Sequence, residues 1–180
     1  MTLEQEKDTR KKHSQKTGTV LEDIFCIGLK MLYLTGFLFV MFTFVFGIYR
    51  CSDAGMNPGI KGGDLLLYYR KEKQYRISDT VILEKEGKVQ ARRIIAVPGD
   101  TVDITEKGLM INGYLQQEKG IYTETVSFLD GIQFPITVGE NEYFVLGDNR
   151  AGAEDSRIYG TVNQKEIKGI AITLFRRRGL

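Results

Sequence analysis

Met31 to Tyr49, MLYLTGFLFVMFTFVFGIY, is nineteen residues without a charge, bounded by Lys30 and Arg50. A bilayer core takes about twenty such residues as a helix, because only a helix satisfies its own backbone in hydrocarbon. A buried helix of a soluble domain would carry a polar face, and this run has none. The pattern therefore predicts a transmembrane helix over residues 31–49, in contact with membrane lipid. It separates a polar tail and lead-in, residues 1–30, from a domain over residues 50–180. Lys7, Arg10, Lys11, Lys12, Lys16 and Lys30 precede the run. By the positive-inside rule the N-terminus is cytoplasmic and the C-terminal domain extracellular, a single-pass cell-membrane arrangement. A cleaved leader would have a shorter apolar stretch and a small-x-small site. The one nearby match is Ser52-x-Ala54, but the apolar run is too long for a leader, so an uncleaved anchor is expected.

The charge balance narrows the partners. The formal net charge is +2, and residues 51–180 carry eighteen Lys/Arg against eighteen Asp/Glu. The balance gives no basis for a nucleic-acid partner. The single histidine, His13, lies in the polar tail, so a Ser-His-Asp triad has no imidazole in the C-terminal domain. A zinc site of several histidines is excluded as well. Cys26 and Cys51 flank the apolar run at roughly 37 Å if it is helical, too far for a disulfide. No metal or cofactor is expected.

After residue 50 the chain reads as β-structure. Leu65–Arg70, Thr80–Glu84, Val89–Val97, Thr101–Thr105, Leu109–Asn112, Tyr143–Leu146 and Ile170–Phe175 are short runs of β-branched, aliphatic or aromatic residues. Gly-containing turns such as Glu86-Gly87-Lys88 separate several of them. The fold class predicted is mainly β, an antiparallel sheet domain behind one N-terminal transmembrane helix, with Gln117–Val138 as a long excursion. Residues 1–20 are polar and lack apolar periodicity, which predicts a tail without regular structure.

Three blocks carry the remaining information: Gly55-Met56-Asn57-Pro58-Gly59, Arg92-Arg93-Ile94-Ile95-Ala96-Val97-Pro98-Gly99-Asp100, and Gly147-Asp148-Asn149-Arg150 followed by Asp155-Ser156-Arg157. Singly, each is an ordinary turn or ion-pair signal. In this order behind one apolar run they resemble the signal peptidase I family. That family shows Ser-Met-x-Pro-Thr, then Lys-Arg-x-x-Gly-x-Pro-Gly-Asp, then Gly-Asp-Asn-Arg-x-x-Ser-x-Asp-Ser-Arg. The resemblance implies a Ser/Lys hydrolase scaffold, in which a serine attacks the scissile carbonyl and a neutral, desolvated lysine takes its proton.

This chain departs at each catalytic position. Gly55 stands at the nucleophile, Arg92 at the base and Ala153 at the serine that orients the base. Glycine offers no hydroxyl, and a guanidinium stays protonated at any working pH. The resemblance thus implies a degenerate, non-catalytic homologue of the kind associated with pilus assembly in Gram-positive bacteria. It would bind extended peptide or protein clients at the outer membrane face and assist secretion as a chaperone. Its partners would be secreted or pilin-type proteins and the sortase that joins them. The alternative is an active signal peptidase I cutting secreted preproteins. Asp53, Gly55, Met56, Pro58, Arg92 and Ile94 are the candidate peptide-groove residues. Arg93, Asp148, Asn149, Arg150, Asp155 and Arg157 are the candidate structural network. A buried Arg92 must pair with a carboxylate or turn its head to solvent; Asp53, two residues before Gly55, is the first candidate, and Asp155, for which Arg93 and Arg157 should compete, is the alternative.

Overall fold

The computed structural model describes residues 3–118 and 120–176, with side chains from Val20 onward. Residues up to Phe44 form one compact unit and those from Val45 another. The first is the helix α1, Leu3–Val40, followed by a π-helical turn, Met41–Val45. The polar segment 1–20, expected to lack regular structure, is helical from Leu3. Glu, Gln, Lys and Arg are strong helix formers and no proline interrupts them. The stretch apolar and long enough to cross a membrane is Val20–Val45.

That span differs from the expected 31–49 segment at both ends. The lead-in residues Leu21–Leu29 belong to the apolar helix, whereas Phe46–Arg50 form a strand, β1. Its residues alternate between exposed and buried, as a half-buried strand requires. β1 pairs antiparallel with β2, Leu65–Tyr69, in the register Phe46↔Tyr69 to Arg50↔Leu65. Gly47 permits the pairing: a Cβ there would lie 2.2 Å from the Tyr68 ring.

The strands that follow are β3 Thr80–Lys85, β4 Lys88–Ala96, β5 Thr101–Thr105, β6 Gly108–Ile111, β7 Tyr114–Leu115, β8 Ile136–Thr137, β9 Glu142–Leu146, β10 Val162–Asn163 and β11 Ile167–Phe175. A seven-stranded sheet has the order β1-β2-β11-β3-β4-β9-β10, and a four-stranded one the order β7-β6-β5-β8. All the pairings are antiparallel. The domain is therefore the mainly antiparallel β-fold that the sequence predicts. Both faces of the large sheet are covered around β3 and β4, whereas Ile48, Leu65, Ile172, Leu174 and Phe175 on β1, β2 and β11 are exposed. Met56, Leu66, Tyr68, Ile82 and Ala91 pack in one cluster, and Val81, Leu83, Ile94, Val145 and Ile167 in another. A third cluster joins the small sheet to β4 and β9 through Ile95, Val102, Leu109, Phe144 and Leu146. A single helical turn, α2, spans Ser156–Tyr159 and is capped by the Asp155 side chain.

Candidate functional site

The first motif block sits on a closed loop. Cys51 N donates to Asp64 O and Gly63 N to Cys51 O, both at 2.8 Å, so the chain leaves β1 and returns to β2 beside itself. The third block clamps this loop. Asn149 N donates to Gly55 O at 2.9 Å, and Asn149 Nδ2 donates to Ala54 O at 3.3 Å. Gly147 allows the close approach, because a Cβ there would lie 2.4 Å from Gly55 O and 2.3 Å from the Ala153 Cβ.

β4 brings the second block to the same point. Arg92 is 1% exposed, and each guanidinium nitrogen has an acceptor. Nε donates to Glu154 O at 2.9 Å, Nη1 to Ala91 O at 2.6 Å and Nη2 to Asp53 Oδ2 at 2.8 Å. The Asp53–Arg92 pair expected from sequence is thus present. A Cβ on Gly55 would lie 2.8 Å from Arg92 Nη1 and 2.9 Å from its Cζ. The guanidinium fills the space into which a side chain at position 55 would project. Asp53 Oδ1 also accepts from Gly55 N at 3.2 Å, which ties carboxylate, glycine and arginine into one unit. Ala153, the residue before the Glu154 carbonyl, is buried and has no hydroxyl.

The Cys51 thiol is buried, donates to Asp53 O at 3.3 Å, and is pushed up by that burial. Tyr49 is likewise raised by burial. Its hydroxyl donates to Val89 O at 3.0 Å and lies 3.4 Å from Ser52 Oγ. Among the described residues, no three His, Cys, Asp or Glu side chains are grouped to hold a metal ion.

Four of the structural-network residues form two ion pairs, Arg150 pairs outside the set, and Asn149 holds the Gly55 loop. Arg93 forks onto Asp148, donating Nε to Oδ1 at 2.8 Å and Nη2 to Oδ2 at 2.7 Å, and these bonds to the carboxylate raise the arginine's pKa. Arg93 was expected to compete for Asp155; Asp148 takes it instead because Arg157 already occupies Asp155. Arg157 donates to both Asp155 oxygens, and Asp155 also accepts from Gly147 N at 3.0 Å. Arg150 is buried against Glu118 and Thr125, with burial lowering its pKa. Glu118 and Thr125 come from the long excursion, where no motif marks them.

Two expected groove residues belong to the core. Met56 and Ile94 are both fully enclosed, in the two opposite clusters named above. Met56 turns inward because the loop around it closes through Ile60 N to Met56 O. Ile94 lies between covered faces of the sheet. Pro58 is exposed. The residues that do meet are Asp53, Gly55 and Arg92, joined by Glu154, which sequence reasoning missed because its main chain makes the contact.

Comparison with known proteins identifies the family of the chain. The family model described as "Signal peptidase, peptidase S26" matches residues 24–175. Signal peptidase I T of Bacillus subtilis (strain 168) is 30% identical over 188 residues, covering 97% of this chain and 95% of that protein. Signal peptidase I P of Bacillus subtilis subsp. natto is 29% identical over 176 residues, covering 91% and 93%. A crystal structure of a signal peptidase I from Enterococcus faecalis V583 covers 54% of this chain and 97% of its own, at 30% identity and a TM-score of 0.44. The chain belongs to the signal peptidase I family. An apolar helix ahead of such a domain fits a membrane-anchored protein of the secretory system with its β-domain on the extracytoplasmic side.

Proposed function

We propose that this chain is a signal-peptidase-fold protein that binds clients without cutting them. The carrying observation is the Arg92 guanidinium lodged against Gly55 and paired with Asp53. A Ser/Lys mechanism needs a hydroxyl and a base able to lose its proton. Here position 55 has no side chain, and position 92 holds a cation with every nitrogen engaged. Anchored with its N-terminus in the cytoplasm, the protein would assist secretion or surface assembly outside. Its clients would be secreted or pilin-type proteins, and a sortase a fitting partner, by analogy with degenerate members of the family.

The second reading, an active signal peptidase I, is favoured by similarity along nearly the whole chain to proteins of that name. The experiment is direct. The full chain, purified in detergent micelles free of host peptidase, is expected to leave a preprotein substrate with small residues at −3 and −1 intact. Gly55→Ser alone is expected to stay silent, since the new hydroxyl gains no base. Turnover that tracks with the purified chain would establish the second reading.

A further inference from the structure

Alternate residues of β4 address opposite neighbours. Ile94 donates to Asp79 O and accepts from Ser78 N, both at 2.8 Å, so its backbone faces the β3 side. Arg93 faces the other way, toward Leu146 of β9. Val89 and Ala91 share the Arg93 side, but the β9 register begins at Arg93. Among the described residues no strand pairs with β4 on that side before Arg93. An unpaired strand edge is a template for an incoming extended chain. Here both of the outward carbonyls are already taken. The Tyr49 hydroxyl donates to Val89 O at 3.0 Å, and Arg92 Nη1 donates to Ala91 O at 2.6 Å.

We infer that Tyr49 and Arg92 are caps that close this strand edge, so that an extended client pairs with the main chain there only by displacing them. The inference rests on the reading of the chain as a non-cleaving binder of extended clients and adds how that site is controlled. Both caps are held in place. Tyr49 is buried in the cluster with Leu66 and Tyr68, and Arg92 is fastened by Asp53 and Glu154. Tyr49 is the looser of the two, because one hydrogen bond to the edge holds its hydroxyl whereas three acceptors hold the guanidinium.

The test uses the full chain in lipid nanodiscs and a fluorescein-labelled unstructured peptide carrying small residues at alternate positions. Affinity is read by anisotropy for the wild type and for Tyr49→Phe, which keeps the ring in the core and removes the donor. The peptide is then replaced by one N-methylated at alternate amides, which cannot pair. Tyr49→Phe is expected to bind the unmodified peptide about fivefold to tenfold more tightly, the value of one main-chain hydrogen bond regained. N-methylation should abolish that gain. Equal affinity of the two proteins, or a wild type already as sensitive to N-methylation as the variant, overturns the caps. Should Tyr49→Phe fail to fold, Arg92→Met, which keeps a long stem and removes the donor to Ala91 O, answers the same question with the same peptides. Cleavage of the probe by the wild type would instead overturn the non-cleaving reading and leave the caps standing.

Discussion

Two arginine–aspartate pairs with the same 2.8 Å separation behave differently in this molecule. In Arg157–Asp155 both side chains are 0% exposed. In Arg92–Asp53 the arginine is 1% exposed but the aspartate side chain is 36% exposed. The first pair joins residues two apart and also accepts from Gly147 N and Arg157 N, so it shapes the turn that clamps Gly55. The second joins residues 39 apart and fills a space that a side chain at position 55 would otherwise claim. The lesson is that exposure of the carboxylate, not the distance, decides what breaking the pair does. Removing a doubly buried partner strands a charge; removing a half-exposed one lets water take its place.

Asp155→Asn should therefore be the most damaging change, costing about 3–5 kcal/mol by leaving Arg157 buried and unpaired. Urea unfolding measured by circular dichroism reads this directly. Asp53→Asn should cost less, about 1.5–3 kcal/mol, the range for a hydrogen bond to a charged group. A loss at Asp53 equal to that at Asp155 would end the distinction between the two pairs.

A third experiment probes the filled space itself. Gly55→Ala in the wild type forces the new Cβ against the guanidinium, whose position is fixed by three acceptors. In an Arg92→Lys background the same change meets a narrower ammonium on a flexible stem. The double-mutant cycle should show coupling within the range usual for residues in contact, about 0.5–3 kcal/mol. Additive losses would mean that the guanidinium yields freely and that Gly55 and Arg92 are not a matched pair.

Much of this centre was legible before the fold. The three blocks indicated which segments meet, and the requirement that a buried guanidinium find a carboxylate put Asp53 first, ahead of Asp155. The motif text did not reveal that Met56 and Ile94 are core, because a groove-lining and a core apolar residue look alike until both faces of the sheet are known to be covered. The same ambiguity hid β1: Phe46-Gly47-Ile48-Tyr49 continues the uncharged run, and only pairing with β2 separates strand from anchor. Contacts from main-chain atoms, such as Glu154 O, carry no residue signature at all. Glu118 and Thr125 reach Arg150 from a segment without periodicity, where no spacing rule applies.

The smallest effect should come from a pair with the opposite asymmetry. Asp64 is buried, with its side chain 6% exposed, while its partner Arg176 is 43% exposed. The Asp64 carboxylate accepts from Arg176 Nη2 at 3.0 Å and from Lys61 N at 2.9 Å. These bonds, Arg176 foremost, hold it below its ordinary value of 3.8 against the opposing pull of burial. A carboxyl whose folded pKa is depressed contributes stability above its unfolded pKa and loses it as pH falls through the folded one. With the cation this exposed, solvent screening limits the pair to at most about 1 kcal/mol at neutral pH. Asp64→Asn should thus lower the urea midpoint slightly at neutral pH, and the wild-type and variant curves should converge as pH falls below the ordinary carboxylate range. A gap that stays constant into acid would show that Asp64 acts through the shape of its hydrogen bonds and not its charge. The exposure rule drawn from Asp53 and Asp155 would then apply only where the arginine is the buried member.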